Sequence, residues 1–354
     1  MEKIKVKEWL KYRINIMTEN EKWLSLNKEK AIEPDMPICD PHHHLWDFNT
    51  YHVQKKYLLP DILKDLDSGH NIVSTIFIEC GAMYNPEYAI SENVLLEAEF
   101  VNGISAMSES GLYGNTKIAA GIVGSAPLLM GKKVENILDK LIAVNPKRFK
   151  GIRSQAAMHP DGTIPATRAR PPEGVYLNES FQEGFSTLRK RNLSFEAWCY
   201  HPQIPQLVEL ARKFPDTVII FNHFGGPLGI GSFINKSEEV FEFWKKHVKE
   251  LAKCENVFAK LGGIAMELNG FEWHKNPIPP SSEELINKTR HFYETTLDYF
   301  GANRCMFESN FPVDKLSCSY VNLWNSFKKL TKNYSNNERA LLFHDTASKA
   351  YKLK

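Results

Sequence analysis

Eight short runs of apolar and β-branched residues constrain the fold of this chain more than any other feature of its sequence. The runs are Pro37–Asp40, Ile72–Cys80, Ile118–Val123, Phe149–Arg153, Leu193–Trp198, Thr217–Asn222, Val257–Leu261 and Arg304–Asn310. Longer segments with helical spacing of apolar residues separate or follow them, namely Tyr88–Ser108, Val134–Val144, Phe181–Arg191, Ile204–Lys213, Glu238–Lys253, Ser282–Phe300 and Asn337–Leu353. Alternating strands and helices form parallel sheets, so eight such units predict an α/β fold, a closed (β/α)8 TIM barrel. An open doubly wound sheet is the alternative, but no G-x-G-x-x-G follows an early run.

The connections between the runs indicate which end of the barrel carries a site. Connections that lead into predicted strands are short, as at residues 145–147 and 214–216. Connections that leave strands are long and rich in Gly and Pro, namely residues 154–180, 225–237, 262–281 and 311–320. Barrels of this type build their sites from the loops that follow the strands. We therefore expect functional side chains at the carboxyl ends of the strands.

The stretch Cys39–Phe48, with the sequence C-D-P-H-H-H-L-W-D-F, concentrates chemically active side chains. Side chains of a strand alternate between its faces, so Asp40, His42 and His44 should point one way and His43 the other. Two imidazoles on one face can meet at a metal ion or a substrate oxygen. A histidine cluster can also be a polar loop or part of the core, but the position at the end of the first predicted strand favours a site.

Two further histidines follow predicted strands. His201 comes after the fifth strand, and His223 ends the sixth. Because the carboxyl ends of barrel strands open into one mouth, His42, His44, His201 and His223 should gather there.

Four motifs, in order along the chain, resemble those of the amidohydrolase-related (amidohydrolase 2) family: D-P-H-H-H-L-W-D, F-N-H-F-G-G-P, K-L-G-G and F-E-S-N-F-P-V-D-K. They are similar to the branch of TIM-barrel metal-dependent hydrolases that includes sugar lactonases and pyrone-dicarboxylate lactonase, and the resemblance runs from about Pro37 to the C terminus. It implies that His42 and His44 are metal ligands on the first strand and that His201 is a ligand on the fifth. It also implies that His223 orients or polarises a substrate carbonyl. The cofactor would be a divalent metal, zinc or else manganese, and in a metal-free variant the first-strand histidines would polarise the substrate.

One position departs from the pattern of this family. Related hydrolases carry an aspartate in a G-S-D-x-P motif at the end of strand eight, where this chain has Asn310. A carboxylate can take a proton from water, whereas a carboxamide offers only hydrogen bonds. The candidates for a separate base are Glu308, Glu79 and Asp314, although each could instead form an ordinary ion pair. Glu308 and Asn310 are two residues apart and should face the same side of the strand.

Cationic and aromatic residues near the predicted strand ends are candidates for substrate binding. Arg153 could clamp a substrate carboxylate, or it could pair with a carboxylate of the barrel. Lys260 has the same two interpretations. Trp46 lies beside the histidine motif, and Phe271 and Trp273 lie in a loop where they could line a partly apolar pocket. A site of three histidines without an aspartate carries extra positive charge, which favours an anionic substrate.

Composition limits the partners of the chain. Its 354 residues carry a formal net charge of +2, with Lys and Arg dispersed. This balance gives no electrostatic basis for binding nucleic acid or a membrane surface, so we expect a small-molecule substrate. No apolar run is long enough to span a bilayer, and the N terminus is too charged for a signal peptide, which predicts a cytoplasmic protein. The six cysteines are too scattered for a zinc knuckle or a disulfide framework, and we expect free thiols.

The first 36 residues combine apolar and charged side chains at partly helical spacing. We predict two regions: an N-terminal helical extension over residues 1–36 and an amidohydrolase-like TIM barrel over residues 37–354. The extension would pack on the barrel or on a second subunit of a homo-oligomer.

Together these features predict an enzyme, an amidohydrolase-superfamily hydrolase. It would open a lactone, or a related cyclic ester or amide, of a small anionic acid by attack of water on a polarised carbonyl. A non-oxidative decarboxylase or hydratase on the same scaffold is the second interpretation. A catalytically inactive barrel acting as a binding subunit is the third, and Asn310 is the feature that supports it.

Overall fold

The computed structural model describes residues 17–47, 54–165, 167 and 170–353. Its strands are β1 (Pro37–His43), β2 (Asn71–Ile78), β3 (Lys117–Ser125), β4 (Phe149–Gln155), β5 (Ser194–Trp198), β6 (Ile219–Phe221), β7 (Val257–Leu261) and β8 (Cys305–Phe307). Its α-helices are α1 (Glu19–Leu24), α2 (Leu59–Leu66), α3 (Ile90–Glu109), α4 (Glu135–Val144), α5 (Glu179–Phe185), α6 (Ile204–Lys213), α7 (Ser237–Ala252), α8 (Ser282–Phe300), α9 (Tyr320–Leu330), α10 (Asn336–Ala340) and α11 (Thr346–Ala350). A π-helical turn, Leu341–Asp345, joins the last two helices.

The strands form a barrel. All eight are parallel and pair in sequence order from β1 to β8. Residues beyond β8 complete the ring, since His43 forms a parallel bridge with Phe311. In addition, the Asn310 N–H donates to the carbonyl of His42 over 2.9 Å. The predicted (β/α)8 TIM barrel is confirmed, and all eight predicted strands are present.

The inside of the barrel has an apolar layer and, above it, a polar one. The apolar layer consists of Cys39, Ile76, Ile78, Val123, Ile220 and Met306, packed against Ala347, Ala350 and Tyr351 at the end of the chain. Because strand side chains alternate with a period of two, the next inward positions after Ile220 and Met306 are Asn222 and Glu308. Polar side chains therefore collect at the carboxyl ends of the strands.

Two helices of the barrel, α2 and α9, are absent from the sequence-based prediction. Helix α2 is only eight residues long and has a proline in its first turn. Helix α9 does have apolar residues at helical spacing, at Tyr320, Leu323, Trp324 and Phe327, although the sequence-based prediction overlooked it. Its polar side chains Asn322, Asn325 and Lys328 face the N-terminal extension.

The N-terminal extension contains the expected helix over Glu19–Leu24, which a capping box of Thr18 and Glu21 begins. Residues 1–16 of the predicted extension lie outside the described residues. Asn325 accepts a hydrogen bond from the Ile32 N–H over 2.9 Å, and Lys328 donates to the carbonyl of Ile32 over 2.8 Å. The described part of the extension therefore packs on the barrel.

Two expectations from composition can be compared with the described chain. In these ranges no helix combines the length and apolarity that a membrane span needs. All six cysteines are free thiols, as expected, and only Cys80 among them is partly exposed.

Candidate active site

The histidine motif of β1 does not alternate as a regular strand would. Asp40 pairs with Thr75 and His43 pairs with Phe77, so three steps along β1 match two steps along β2. Asp40 accepts hydrogen bonds from the Tyr320 hydroxyl over 2.9 Å and from a backbone N–H of the segment after β8. The prediction that Asp40 shares a face with the site histidines is wrong, because this bulge shifts the alternation. His43 faces away from them as predicted, 2.9 Å from the Thr75 hydroxyl.

Three side chains from distant parts of the chain meet at the carboxyl end of the barrel. One carboxylate oxygen of Glu308, Oε1, lies 2.6 Å from Nδ1 of His223, and the other, Oε2, lies 2.7 Å from Nδ1 of His42. The rings of His42 and His223 are 4.4 Å apart, and all three side chains are buried. The structure thus brings together two predicted histidines and one predicted acid.

The donor set of this group fits a divalent cation. Each of His42, His223 and Glu308 offers one ligand atom, and these atoms lie within 4.8 Å of one another. Oε2 of Glu308 is buried and has no hydrogen-bond donor with acceptable geometry in the described chain. Nδ1 of His42 lies 3.3 Å from the Lys260 ammonium, which can donate to it. With Lys260 as the donor, Nδ1 of His42 and Oε2 are two acceptors 2.7 Å apart, an arrangement that a bound cation would stabilise. With Arg153 donating to Nε2 instead, Nδ1 carries the proton and faces Oε2 as a donor.

Burial keeps the first-strand imidazoles neutral. It lowers the pKa of His42 well below the usual value, and the nearby Lys260 ammonium adds to the effect. Burial, followed by the charge of Arg153, likewise lowers the pKa of His44. A neutral imidazole keeps a lone pair for a metal or a proton.

His44 lies beside the group with a fixed orientation. Its ring centroid is 5.0 Å from that of His42, and its Nδ1 lies 2.8 Å from the carbonyl oxygen of Ile78. Since a carbonyl only accepts, Nδ1 carries the proton and Nε2 keeps the lone pair. Trp46 stacks on the other side of His44 at 5.9 Å, so this predicted substrate-binding residue supports the histidine.

His223 and its neighbours occupy an unusual backbone turn. The φ angles of His223 and Phe224 are +51° and +56°, in the left-handed region that costs energy for residues with a side chain. The loop after β7 approaches closely, because a Cβ atom on Gly263 would lie 2.0 Å from Nδ1 of His223. A Cβ on Gly262 would lie 2.3 Å from the carbonyl oxygen of Glu308. The two glycines of K-L-G-G therefore give the loop its place against the site, a role that sequence analysis missed.

The two predicted cationic residues are both paired with barrel carboxylates. Nε of Arg153 donates to Glu79 over 2.8 Å, and a second guanidinium nitrogen donates to the Glu79 carbonyl. The ammonium of Lys260 lies 3.0 Å from Glu196. For both residues, the interpretation as a partner of a barrel carboxylate describes what the structure shows. Nη1 of Arg153 also lies 3.4 Å from Nε2 of His42, within reach of the site.

His201 is not part of the group. Its Nδ1 accepts a hydrogen bond from the Leu228 N–H over 3.3 Å, and its ring packs against the edges of Phe233 and Phe243. Burial lowers its pKa to about 4. The described residues contain no hydrogen bond, ion pair or ring contact between His201 and the other three predicted site histidines. Three of the four expected histidines, His42, His44 and His223, therefore lie together at the mouth of the barrel. His201 lies in a separate aromatic environment.

Asn310 turns away from the predicted strand direction. Strand β8 ends at Phe307, and Asn310 has a φ of +55°. Its amide donates to Asp314 over 2.8 Å, while Glu308 contacts the histidines, so the two-residue alternation does not join Glu308 and Asn310. Burial raises the pKa of Asp314 to about 8, which makes this candidate base a neutral acid near pH 7.

Sequence analysis also missed the residues beneath the group. Glu196, Asn222 and Tyr351 are fully buried or nearly so, and all three belong to the hydrogen-bond network of Lys260. The available signal was a charged residue inside each of two apolar strands, S-F-E-A-W and V-F-A-K-L. A buried charge needs a partner, so the pair could have been suspected.

A (β/α)8 barrel with a buried group of histidines and a carboxylate at the carboxyl ends of its strands has the architecture of barrel enzymes. The chain belongs to the amidohydrolase family, because the family model described as "Amidohydrolase" matches residues 39–353. It is therefore a member of an enzyme superfamily, as the motifs predicted.

Two relatives and two solved structures illustrate what the chain is similar to. A Sinorhizobium fredii protein called "Uncharacterized protein y4mH" is 33% identical over 337 residues, which are 90% of this chain and 99% of that protein. An L-fucono-1,5-lactonase of Burkholderia multivorans is 24% identical over 174 residues, 49% of this chain and 56% of the lactonase. A Burkholderia multivorans amidohydrolase with bound zinc has a TM-score of 0.68 at 20% identity and covers 90% of this chain and 99% of its own. A Novosphingobium aromaticivorans 5-carboxyvanillate decarboxylase complexed with manganese has a TM-score of 0.56 at 12% identity, covering 93% and 99%. At these identities the two structures share the fold.

Proposed function

We propose that this protein is a metal-dependent hydrolase that opens a lactone, or a related cyclic ester or amide, of a small anionic acid. The observation that carries the proposal is the convergence of His42, His223 and Glu308 around a carboxylate oxygen for which the described residues supply no well-aligned hydrogen-bond donor. The lactonase among the relatives supports ring opening as the reaction. The zinc-bound amidohydrolase supports zinc as the metal, with manganese as the alternative.

His42, His223 and Glu308 would hold the ion. When bound, a divalent cation polarises a carbonyl and lowers the pKa of water, which favours attack on an ester. The chain itself keeps its ligands in place: Oε1 of Glu308 accepts a hydrogen bond from the Nδ1–H of His223 over 2.6 Å, which fixes the orientation of that ring.

The proton of the attacking water needs an acceptor other than Asn310. His44 is suited to this role because Nδ1 is bound to the Ile78 carbonyl, and Nε2 keeps its lone pair. Burial lowers the pKa of His44, so the imidazole is unprotonated but a weak base, and its position beside His42 rather than its basicity supports the role. His44 thus acts in the proposal as proton acceptor, whereas the family resemblance assigns it to the metal.

The charges around the group favour an anionic substrate. Arg153 and Glu79 offset each other, as do Lys260 and Glu196. Glu308 then remains as the carboxylate that faces a divalent cation, so the loaded site carries a net positive charge. Nη1 of Arg153 lies 3.4 Å from Nε2 of His42, which supports this residue as the group that would bind a substrate carboxylate.

Metal analysis combined with a lactone panel tests the proposal. The purified protein should contain about one zinc or manganese ion per chain, and it should hydrolyse carboxylated lactones faster than neutral ones. Chelation should abolish the activity, and re-addition of metal should restore it. The variant His42→Ala should lose both metal and activity. Activity that survives chelation would instead support the metal-free variant, and a metal-loaded protein inactive on all substrates would support the inactive barrel.

Decarboxylation of an aromatic acid is a second candidate, because the manganese-complexed decarboxylase shares this fold. The same positive site would bind a carboxylate beside a hydroxyl group. Release of carbon dioxide from hydroxybenzoates, without ring opening of any lactone, would favour this reaction over hydrolysis.

A further inference from the structure

A lysine lies directly beneath the proposed metal ligands. The Nζ atom of Lys260 is 3.3 Å from Nδ1 of His42 and 4.0 Å from Oε2 of Glu308, the same atoms that converge for a metal. Its side chain is fully buried, so no water screens its charge. An ammonium at this position competes with a divalent cation for the same imidazole and carboxylate.

Glu196 holds this lysine on the opposite side. Its Oε2 lies 3.0 Å from Nζ of Lys260 and also accepts from the Asn222 amide. Its Oε1 accepts from the hydroxyl of Tyr351, which belongs to the chain end that closes the bottom of the barrel. The Tyr351 ring lies under the same ammonium, 5.4 Å from Nζ to the ring centroid. The carboxylate and the aromatic face both attract the cation away from the ligands.

We propose that Tyr351 and Glu196 are positioning residues that draw the Lys260 ammonium toward the bottom of the barrel. The ammonium therefore lies nearer to Glu196, at 3.0 Å, than to Oε2 of Glu308, at 4.0 Å, which leaves that oxygen available to a metal. Tyr351, at the bottom of the barrel, would thereby control the metal affinity of the site at the carboxyl ends of the strands. This inference rests on the metal site of the proposed function but is independent of the substrate.

The chain contains a matched triad that serves as a control. The Tyr57 hydroxyl donates to Asp65 over 2.7 Å, and the Lys315 ammonium lies 2.9 Å from the same carboxylate. Lys315 also lies 5.6 Å from the centroid of the Tyr57 ring. Both tyrosines are buried, so the substitution to phenylalanine removes the same kind of hydrogen bond in each triad. Only the Tyr351 triad has its lysine in contact with the proposed ligands.

The test is the zinc affinity of the full chain, measured by competition with a chromophoric chelator, with the absorption spectrum of bound Co²⁺ as a second readout. In Tyr351→Phe, Glu196 loses the hydrogen bond that fixes its orientation, so its carboxylate can turn away from Lys260 and the ammonium moves toward Glu308. We expect zinc binding to weaken by about tenfold, with a changed Co²⁺ spectrum. Tyr57→Phe should keep the wild-type affinity and spectrum, although its thermal stability falls by a similar amount. Equal affinities of Tyr351→Phe and wild type would overturn the inference.

A second variant keeps the test decisive if Tyr351→Phe folds poorly. Lys260→Met removes the competing cation, so it should bind zinc at least as tightly as wild type. In that background the added Tyr351→Phe change should no longer alter the affinity, because no ammonium remains to be released. Weaker zinc binding by Lys260→Met would refute the inference while leaving the metal site of the proposed function intact. A wild-type protein that binds no divalent metal would refute both together.

Discussion

The substitution Gly263→Ala provides a direct test of how the loop after β7 shapes the site. Gly263 has a φ of +65°, and an added Cβ would lie 2.0 Å from Nδ1 of His223 and 2.5 Å from its Cγ. Ordinary contact begins near 3.4 Å, so the imidazole has to move by about 1.4 Å or the loop has to retreat. If the imidazole moves, the 2.6 Å hydrogen bond between His223 and Glu308 breaks.

The expected loss of stability has two parts. A left-handed backbone costs a residue with a Cβ roughly 1–2 kcal/mol, and overpacking a close contact costs roughly 1–3 kcal/mol. Gly263→Ala should therefore lower the free energy of unfolding by about 2–5 kcal/mol. Gly174 has a φ of +70° with nothing within 4 Å of its Cβ position, so Gly174→Ala isolates the backbone part. The control should lose only about 1–2 kcal/mol.

Urea unfolding of both variants, followed by zinc titration, measures these effects. Displacement of His223 should reduce the zinc affinity of Gly263→Ala by about 10- to 100-fold, whereas Gly174→Ala should bind zinc as wild type does. If Gly263→Ala kept wild-type zinc affinity and lost no more stability than Gly174→Ala, the close approach of this loop to His223 would not hold the site together.

Three further predictions concern separate parts of the molecule. His44→Ala should keep its zinc and lose at least about 100-fold in hydrolysis rate, as expected for a proton acceptor, and loss of zinc from this variant would show that His44 is a ligand. Because burial raises the pKa of Asp314 to about 8, above its value in the unfolded chain, the folded state binds the extra proton and its stability should fall as the pH rises from about 4 to 8. Asp314→Asn should flatten this slope in urea titrations at several pH values, and an unchanged slope would contradict the assignment. Asn325→Ala removes hydrogen bonds to Glu29, Lys30 and Ile32 of the extension and should cost about 1–3 kcal/mol in calorimetry or urea unfolding, whereas an extension that is a separate unit would leave the stability of the barrel unchanged.

The barrel and part of its site could be read from local patterns. A short run of apolar residues predicts each strand, and the alternation of these runs with helical segments predicts a parallel sheet of eight strands. His42 and His223 were predicted as site residues because they end strands, and the carboxyl ends of barrel strands share one mouth. Glu308 was named as a candidate base from its place in the fourth motif, F-E-S-N-F-P-V-D-K, at the eighth strand. These inferences need only short stretches of sequence and the geometry of the fold.

The tertiary structure decided which side chains meet. The one-residue bulge in β1 turns Asp40 away from the face of the site histidines. His201 also follows a strand, but it packs against aromatic side chains instead of joining the site. Arg153 is paired with Glu79, and Glu196 accepts from Tyr351, which lies 155 residues further along the chain. Sequence periodicity predicts the face on which a residue lies only where the strand is regular, as the bulge in β1 shows. The partner of a buried charge depends instead on distances between residues far apart in the chain, and these exist only once the barrel has closed.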